Sequence, residues 1–338
     1  MNFNINSGYG QMLANQIASA VGPIFGKVLV VCSTSDDPQK LAMLRDAFVP
    51  DADGEARFYT TLESAYADAT SNADDVILLS GNSSHNLAAG IAWSKNRVHV
   101  IGMDGGSRLI DQGAKISSSA TDATGYVLNV TGIRNTFTNV KLIQNSTNAA
   151  ALNVLITSGE GNVYKNCSFI YGVITNLNGT TAQEVTIGED SGTFIDCEFG
   201  DDTLLTSAAR PVMLVKTVAT EMKDCRFRGC TWKISSSSAT ATFIRLNAIT
   251  DILFSNLFED CNFEASVDTA GGIALTSGAV QTGTGTNKGT LNFRYPATFN
   301  CALSLTASGY NAAVQVVAPT SVATAFKGIQ PTAKQVIK

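Results

Sequence analysis

Apolar residues along this chain occur in short runs rich in strand-forming residues, which clusters of Gly, Ser, Thr and Asn separate. Residues 127–130, 212–215 and 242–246 are examples. Short runs of this kind bounded by turn residues are typical of β-strands. The pattern predicts a protein built mainly of short strands.

A short phrase recurs in the second half of the chain. It consists of an aromatic or apolar residue, a spacer, Asn or Asp, Cys, a spacer and an aromatic residue. Copies stand at 164–169, 194–199, 222–227 and 258–263, with degenerate copies at 137–142 and 298–303. Equivalent cysteines are about 27 to 40 residues apart, a period typical of stacked repeats.

The phrase also predicts how each coil is built. Its first aromatic residue and its Asn or Asp share one strand face, as do its Cys and last aromatic residue. The Asn/Asp–Cys junction breaks the alternation, and Asn and Asp tolerate the left-handed conformation of a sharp bend. We expect corners at Asn139, Asn166, Asp196, Asp224, Asp260 and Asn300, and a core cysteine ladder of Cys167, Cys197, Cys225, Cys261 and Cys301. The predicted fold is all-β, a right-handed parallel β-helix.

The cysteines have several interpretations. A disulfide framework is one, but the chain is long and its seven cysteines are an odd number. Because five of them share one repeat position, we favour buried, reduced thiols that fill the core. Cys225 and Cys230 lack a second Cys or His pair, since His85 and His99 are the two histidines and lie far away in sequence. We therefore expect no zinc or other metal.

The segment before the repeats carries a family resemblance. It reads Thr-Leu-Glu-Ser-Ala at 61–65, Asp-Asp-Val-Ile-Leu-Leu-Ser-Gly at 74–81 and Ser-Lys-Asn-Arg-Val-His-Val-Ile-Gly at 94–102. This resembles the first coils of pectin-lyase-like right-handed β-helices, in which a helix closes the N-terminal end of the core. The resemblance implies the fold and not an activity, because that superfamily holds lyases, esterases, tailspikes and inert structural proteins.

Four segments follow from these patterns. We predict an arm at 1–26, a small α/β cap at 27–72 with helices near 37–48 and 61–69, the β-helix at 73–312, and a C-terminal cap or tail at 313–338. The arm is either a strap or disordered tail, or a docking segment that orders on a partner. Its candidate docking residues are Leu13, Ile17, Val21, Ile24 and Phe25.

Charge and hydropathy exclude several functions. Charged residues make up 15% of the chain, and the formal net charge is −5. No run of basic residues is present to bind nucleic acid. No apolar run reaches the roughly 20 residues of a membrane-spanning helix. The first 26 residues lack the basic lead of a signal peptide.

Candidate chemistry is sparse. The densest acidic stretch could suit a calcium or carbohydrate site, but we favour structural roles for its members, with Asp190, Asp201 and Asp202 in turns; it comprises Glu184, Glu189, Asp190, Asp196, Glu198, Asp201 and Asp202. Stacking would pair Glu198 with Arg226, and Lys223 with Glu259. No nucleophile or phosphate-binding motif occurs. We expect no enzymatic activity and no cofactor.

These observations suggest a function. Residues 27–32 and 57–61, together with the β-helix, resemble proteins encoded beside bacteriophage capsid genes. We expect a non-enzymatic virion protein, a capsid decoration, cement or head-spike protein made in the host cytoplasm. It would bind the major capsid protein or another virion protein at the capsid surface, as a homotrimer. The alternative is a phage tailspike or tail fibre that binds or depolymerises host polysaccharide. A polysaccharide lyase or esterase is a third reading.

Overall fold

The structure is a computed structural model. It describes residues 26–33, 42, 57–81, 83–103, 113–177, 179–201, 203–216, 218, 221–238, 241–247, 251–266, 274–278, 289–294, 298–300 and 314–317. Several expectations therefore fall outside the described residues. They include Cys301, nearly all of the helix near 37–48, most of 313–338, and the arm residues Leu13, Ile17, Val21, Ile24 and Phe25.

Strands dominate the described chain, with two short helices. The helices are α1 (Leu62–Asp68) and α2 (Ile174–Leu177). The strands are β1 (Val28–Val31), β2 (Phe58–Tyr59), β3 (Asp75–Leu79), β4 (Ser83–Leu87), β5 (Ile91–Trp93), β6 (Val98–Gly102), β7 (Ala114–Ser118), β8 (Leu128–Val130), β9 (Thr136–Thr138), β10 (Lys141–Gln144), β11 (Asn153–Thr157), β12 (Val163–Lys165), β13 (Ser168–Tyr171), β14 (Gln183–Ile187), β15 (Thr193–Ile195), β16 (Glu198–Phe199), β17 (Pro211–Val215), β18 (Met222–Lys223), β19 (Arg226–Arg228), β20 (Thr231–Ser235), β21 (Thr242–Leu246), β22 (Ile252–Glu259), β23 (Asn262–Ser266), β24 (Ala274–Gly278), β25 (Gly289–Arg294), β26 (Thr298–Asn300) and β27 (Val314–Val317).

Three parallel sheets wrap around one core. Sheet 1 has the order β2-β1-β3-β6-β9-β12-β15-β19-β22-β25-β27, and β18 also pairs with β22. Sheet 2 runs β26-β23-β20-β16-β13-β10-β7-β4, and sheet 3 runs β24-β21-β17-β14-β11-β8-β5. Consecutive strands such as β9, β10 and β11 enter different sheets, so each turn of chain adds one strand to each sheet. The predicted parallel β-helix is confirmed.

Aromatic rings stack along the interior in two columns. On sheet 1, ring centroids of successive coils lie 5.3 Å (Phe137–Tyr164), 4.6 Å (Tyr164–Phe194), 4.8 Å (Phe194–Phe227) and 4.5 Å (Phe227–Phe258) apart. On sheet 2, the column contains Phe169, Phe199, Trp232 and Phe263. The strand spacing of about 4.8 Å brings in-register rings into stacking distance. The two aromatic positions of the repeated phrase therefore supply the two columns.

A left-handed residue forms each corner between sheets 1 and 2. Asn139, Asn166, Asp196, Gly229 and Asp260 have φ between 51° and 63°. Each N–H donates to the carbonyl of the residue before the corner in the next coil, for example Asn166 N to Ile195 O at 2.8 Å. Strand pairing aligns Ile195 with Arg228, so Gly229 occupies this corner beside Asp196.

Asp224 belongs to a different corner. Its φ is 49°, but it lies at the junction that leads into sheet 1. Bridges from Asp190 to Lys223 and from Lys223 to Leu253 align it with Ser191 and Phe254. Arg97, Arg134, Gly161, Ser191 and Phe254 are also left-handed at this second corner. Placing Asp224 among the first corners was wrong, because two corners flank each strand of sheet 1. Placing Asn300 there was also wrong, because it pairs with Glu264 within sheet 2.

The cysteine ladder is also corrected at one level. Each ladder thiol donates to a carbonyl of the preceding coil, as Cys167 Sγ does to Phe137 O at 3.3 Å and Cys230 Sγ to Phe194 O at 3.4 Å. Cys197 and Cys261 form the same contact with Tyr164 O and Phe227 O. Cys230 takes the place expected for Cys225, because Cys225 precedes sheet 1 and not sheet 2. All four ladder cysteines are buried and free of disulfides.

Helix α1 closes the N-terminal end of the core. The Thr61 hydroxyl caps it by accepting from Ser64 N, and Leu62 and Ala65 are buried against the core. At the other end, the Lys95 ammonium donates to three carbonyls of the last turn, those of Tyr66, Ala67 and Ala69. A cation there also offsets the negative end of the helix dipole. Within the described ranges, neither helix has the length and hydrophobicity to span a bilayer.

The expected inter-coil ion pairs are not those that form. Glu198 Oε2 lies 3.4 Å from Lys233 Nζ, and Lys223 pairs with Asp190. Arg226 stacks between Thr193 and Leu257 on sheet 1, whereas Glu198 is on sheet 2. The predicted Glu198–Arg226 and Lys223–Glu259 pairs were wrong, because they assumed that Cys225 was in the ladder.

Candidate functional site

A column of polar side chains runs inside the solenoid along sheet 1. Asn135 and Asn162 occupy equivalent positions of successive coils, two residues before the aromatic column. The Asn135 Oδ1 accepts from Val98 N at 2.9 Å, and the Asn162 Oδ1 accepts from Asn135 N at 2.9 Å. Further along, Asn256 Oδ1 accepts from Cys225 N at 3.0 Å. Each amide thus satisfies a buried backbone N–H of the neighbouring coil.

The next position in this column is Gly192, and a carboxylate fills its place. Glu189 Oε1 accepts from Asn162 N at 3.0 Å, as an asparagine at 192 would do. A glycine stands three residues before Asn135 and three residues before Asn162, at Gly132 and Gly159, whereas Glu189 stands three residues before Gly192. The order is thus reversed: the larger residue comes first in Glu189 and Gly192, whereas the glycine comes first in Gly159 and Asn162. One Glu and one Gly therefore continue the polar column.

Glu189 is fully buried and lies at the end of a chain of hydroxyl groups. Its Oε2 accepts from Thr157 Oγ1 at 2.6 Å, and Thr157 Oγ1 accepts from Tyr164 Oη at 2.9 Å. Burial raises the pKa of Glu189 to about 8, although these hydrogen bonds act in the opposite direction. Among the described residues, no Lys, Arg or His forms an ion pair with it.

Cys225 follows Gly192 in the same column. Its thiol donates to the Glu189 carbonyl at 3.1 Å, and Lys223 N donates to the same oxygen at 3.0 Å. Burial raises the pKa of the Cys225 thiol, which disfavours the reactive thiolate. Cys225 is therefore a buried backbone partner and not a nucleophile.

A second buried carboxylate forms an ion pair. Arg210 Nη1 lies 2.9 Å from Glu184 Oε1 and 2.7 Å from Glu184 Oε2, and both side chains are 1% exposed. Burial raises the pKa of Glu184, and the guanidinium of Arg210 opposes that shift. The pair links β14 to the segment before β17 in the next coil. The Glu184–Arg210 pair lies in the interior of the solenoid and is closed to solvent.

The outer face of sheet 1 carries little acid–base chemistry. Two columns of side chains point outward from β6 onward. The first contains His99, Thr136, Val163, Thr193, Arg226, Leu257 and Asn292, and the second Ile101, Thr138, Lys165, Ile195, Arg228, Glu259 and Arg294. Glu259 is the one carboxylate in these described columns. Esterase chemistry would require a pair of carboxylates on one face, and this face does not supply it.

His99 belongs to a polar cluster on the first coils. The Arg97 guanidinium binds both Asp74 oxygens, and His99 Nε2 lies 3.5 Å from Asp74 Oδ1. Burial lowers the pKa of His99 and outweighs the carboxylate of Asp74. His99 is therefore a neutral, buried imidazole that contacts the Arg97–Asp74 ion pair and links adjacent coils. His85 is likewise buried, with Nε2 3.1 Å from Ser80 O.

The acidic stretch predicted from the sequence does not come together. Glu184 and Glu189 point inward, Asp190 pairs with Lys223, and Asp201 accepts from Thr203 N at 2.6 Å. In the part of the chain that the structure describes, no group of three His, Cys, Asp or Glu residues is placed to hold a metal ion. The stretch is therefore divided among turn, surface and interior roles.

Sequence reasoning missed the polar column. A local signal for it existed, since Asn135, Asn162 and Asn256 each stand two residues before an aromatic residue. The roles of Glu189, Glu184 and Arg210 had no such signal. Their partners lie in neighbouring coils, 26 to 32 residues away in the chain.

Comparisons with solved structures find distant likenesses to carbohydrate-active enzymes. No protein-family model and no curated protein matches the chain. Among solved structures, carrot pectin methylesterase matches at 12% identity, with 88% of this chain and 89% of that chain covered and a TM-score of 0.42. Pectin methylesterase PemA from Erwinia chrysanthemi matches at 12% identity, with 88% and 94% covered and a TM-score of 0.41. An alginate lyase from Paenibacillus sp. str. FPU-7 matches at 13% identity, with 70% and 94% covered and a TM-score of 0.33. No residue role is transferred from likenesses of this degree.

Proposed function

We propose that this chain is a non-enzymatic structural protein of a bacteriophage virion, which docks on the major capsid protein as a decoration, cement or head-spike protein. The observation that carries the proposal is the position of its two unusual carboxylates. Glu184 and Glu189 lie inside the solenoid and bind groups of neighbouring coils. Groups whose pKa values are shifted are thus used to hold the coils together.

The interior supports a mechanical role. Two continuous aromatic columns and the polar column connect every described coil from β9 to β23. Each coil contacts only its neighbours, so a regular interior gives a stiff rod. A rod with a chemically quiet outer face suits a protein that projects from, or clamps, a shell.

In this proposal, the ends of the rod attach it to the capsid. The arm at 1–26, with its apolar residues, would order on the capsid surface, and the rods would associate as a homotrimer. Closed cyclic symmetry is the usual arrangement of identical subunits. The protein would reach the capsid from the host cytoplasm.

Co-sedimentation tests the attachment. Capsids of the virus whose genome carries this coding sequence would be mixed with the full chain or with a variant that lacks residues 1–26. We expect the full chain to sediment with capsids and the truncated rod to stay in the supernatant with an unchanged Tm. Failure of the full chain to bind capsids would contradict the proposal, and binding of the truncated rod would move the contact to the coils or the C-terminal end.

One observation favours the alternative, a tailspike or tail fibre that binds host polysaccharide. Phe254 is left-handed and 54% exposed, and the Lys223 ammonium lies 5.8 Å from the centre of its ring. A bulky residue rarely adopts this conformation, so an exposed ring held there suggests a contact function. Aromatic faces stack on sugar rings as readily as on protein.

A polysaccharide panel separates the two functions. The full chain and a Phe254→Ala variant would be incubated with purified capsular polysaccharides of the host, and binding and release of reducing ends would be measured. The virion proposal expects neither in either protein. Binding that Phe254→Ala abolishes would establish the tailspike reading in its place.

A further inference from the structure

The surroundings of Glu189 differ from those of Glu184, the other buried glutamate among the described residues. Glu184 has Arg210, whereas Glu189 accepts only neutral donors among the described residues. The titratable groups around it are Tyr164, Cys225 and Asp190, and Asp190 is itself paired with Lys223. None of these places a free positive charge beside the Glu189 carboxylate.

The hydroxyl chain has two arrangements. With Glu189 ionised, Tyr164 donates to Thr157 and Thr157 donates to the carboxylate. With Glu189 protonated, the carboxyl group can donate to Thr157 Oγ1, which has two acceptor lone pairs, and the Thr157 proton must then leave the carboxyl oxygen. Ionisation therefore reorients the buried Thr157 hydroxyl and also places an unpaired charge in an apolar core.

We propose that Glu189 makes the middle of the solenoid lose stability as the pH rises. When the carboxyl group loses its proton, the coil that contains Gly192 loosens from the coil that contains Asn162. The inference concerns the interior of the rod and holds whether or not the chain belongs to a virion.

The direction follows from linkage. The pKa of Glu189 is raised from 4.5 to about 8 in the folded chain by burial. The group contributes full stability below about pH 4.5, where it is protonated in both states. This contribution is lost progressively as the pH rises toward 8, because the unfolded chain releases its proton first.

The first test compares thermal unfolding of wild type and Glu189→Gln between pH 5 and pH 8.5. Glutamine keeps an oxygen for Asn162 N and cannot ionise. We expect the Tm of the wild type to fall by roughly 5 °C more than that of Glu189→Gln over this range. Glu160→Gln is the matched control. Glu160 is exposed, and it pairs from the preceding coil with Asp190, the residue after Glu189. It should follow the wild type.

A second variant tests the proposal independently if Glu189→Gln folds poorly. Glu189→Gly combined with Gly192→Asn recreates the arrangement of Gly159 and Asn162 and should also remove the extra pH dependence. Hydrogen exchange locates the effect: the protection factor at Asn162 N should fall between pH 5 and pH 8 in the wild type, with little change at Val98 N. Equal pH slopes for wild type and both variants would overturn the proposal.

Discussion

A β-carbon added to Gly192 would lie 2.7 Å from the carboxyl carbon of Glu189. The two residues thus share one volume in the interior, and each is possible because of the other. The same volume in the preceding coil is divided between Gly159 and Asn162, where a β-carbon on Gly159 would lie 2.6 Å from the asparagine amide nitrogen. The solenoid therefore fills equivalent positions with different residues of the same combined size.

Gly192→Ala should destabilise the rod. The added methyl group displaces a buried carboxyl group that holds Asn162 N, so we expect a loss of about 2 to 3 kcal/mol in the free energy of unfolding. Urea titration followed by circular dichroism measures it. Gly125→Ala is the control, because its β-carbon would lie at an ordinary 3.4 Å from Ala150 O. Similar stability of both variants would show that Glu189 does not occupy this volume.

Gly161→Ala should destabilise through the backbone alone. Gly161 has φ +65° at the second corner, and the nearest atom to an added β-carbon is Arg134 Cγ at 3.7 Å. Space is available, so the expected cost of about 1 kcal/mol is that of the left-handed conformation. Arg134 is also left-handed, with a φ of 55°, so Arg134→Gly should relieve strain of the same kind and raise the stability. Unchanged unfolding midpoints for Gly161→Ala would contradict a left-handed corner there.

The sequence revealed the fold because one phrase returns at each coil. Its aromatic residues, its corner and its cysteine occupy fixed positions of sheets 1 and 2, so their spacing is visible without knowledge of contacts. The register failed where two copies of the phrase overlap: Phe227 ends 222–227 and begins 227–232. Only strand pairing shows that Cys230 and Gly229 belong to the ladder and its corner.

The buried ionic groups could not be predicted from the sequence. Glu184 lies in β14 and Arg210 just before β17, and their burial depends on how two coils stack. Glu189 gains its role only when Gly192 is seen to lack a side chain at the same level. Local patterns report strand faces, whereas these groups are defined by contacts between coils.

Arg210→Met should destabilise the protein more than removal of both charges of the Glu184–Arg210 pair. The single variant leaves Glu184 buried without a partner, and we expect a loss of roughly 3–5 kcal/mol. Glu184→Leu combined with Arg210→Met removes both charges and should recover most of this loss. Lys223→Met, which breaks the partly exposed pair with Asp190, is the control and should cost under about 1 kcal/mol. A double variant as unstable as Arg210→Met would contradict a charge effect.

The ladder thiols should be inert in the folded protein. Cys167, Cys197, Cys230 and Cys261 are fully buried, and burial raises the pKa of Cys197 and Cys261. In a Cys301→Ser background at pH 8, their reaction with an aromatic disulfide reagent should be slower by 10³-fold or more, on the order of the unfolding equilibrium, than in guanidinium. Rapid modification of the native chain would contradict the closed interior.

Cryo-electron microscopy of virions tests the central claim most directly. Virions of the phage that the proposal assumes would be imaged, and the map searched for rods with three parallel sheets and a rise of about 4.8 Å per coil. The account predicts such rods on the capsid shell, attached through an end and grouped in threes. Rods at the tail tip, or a complete particle without them, would contradict it.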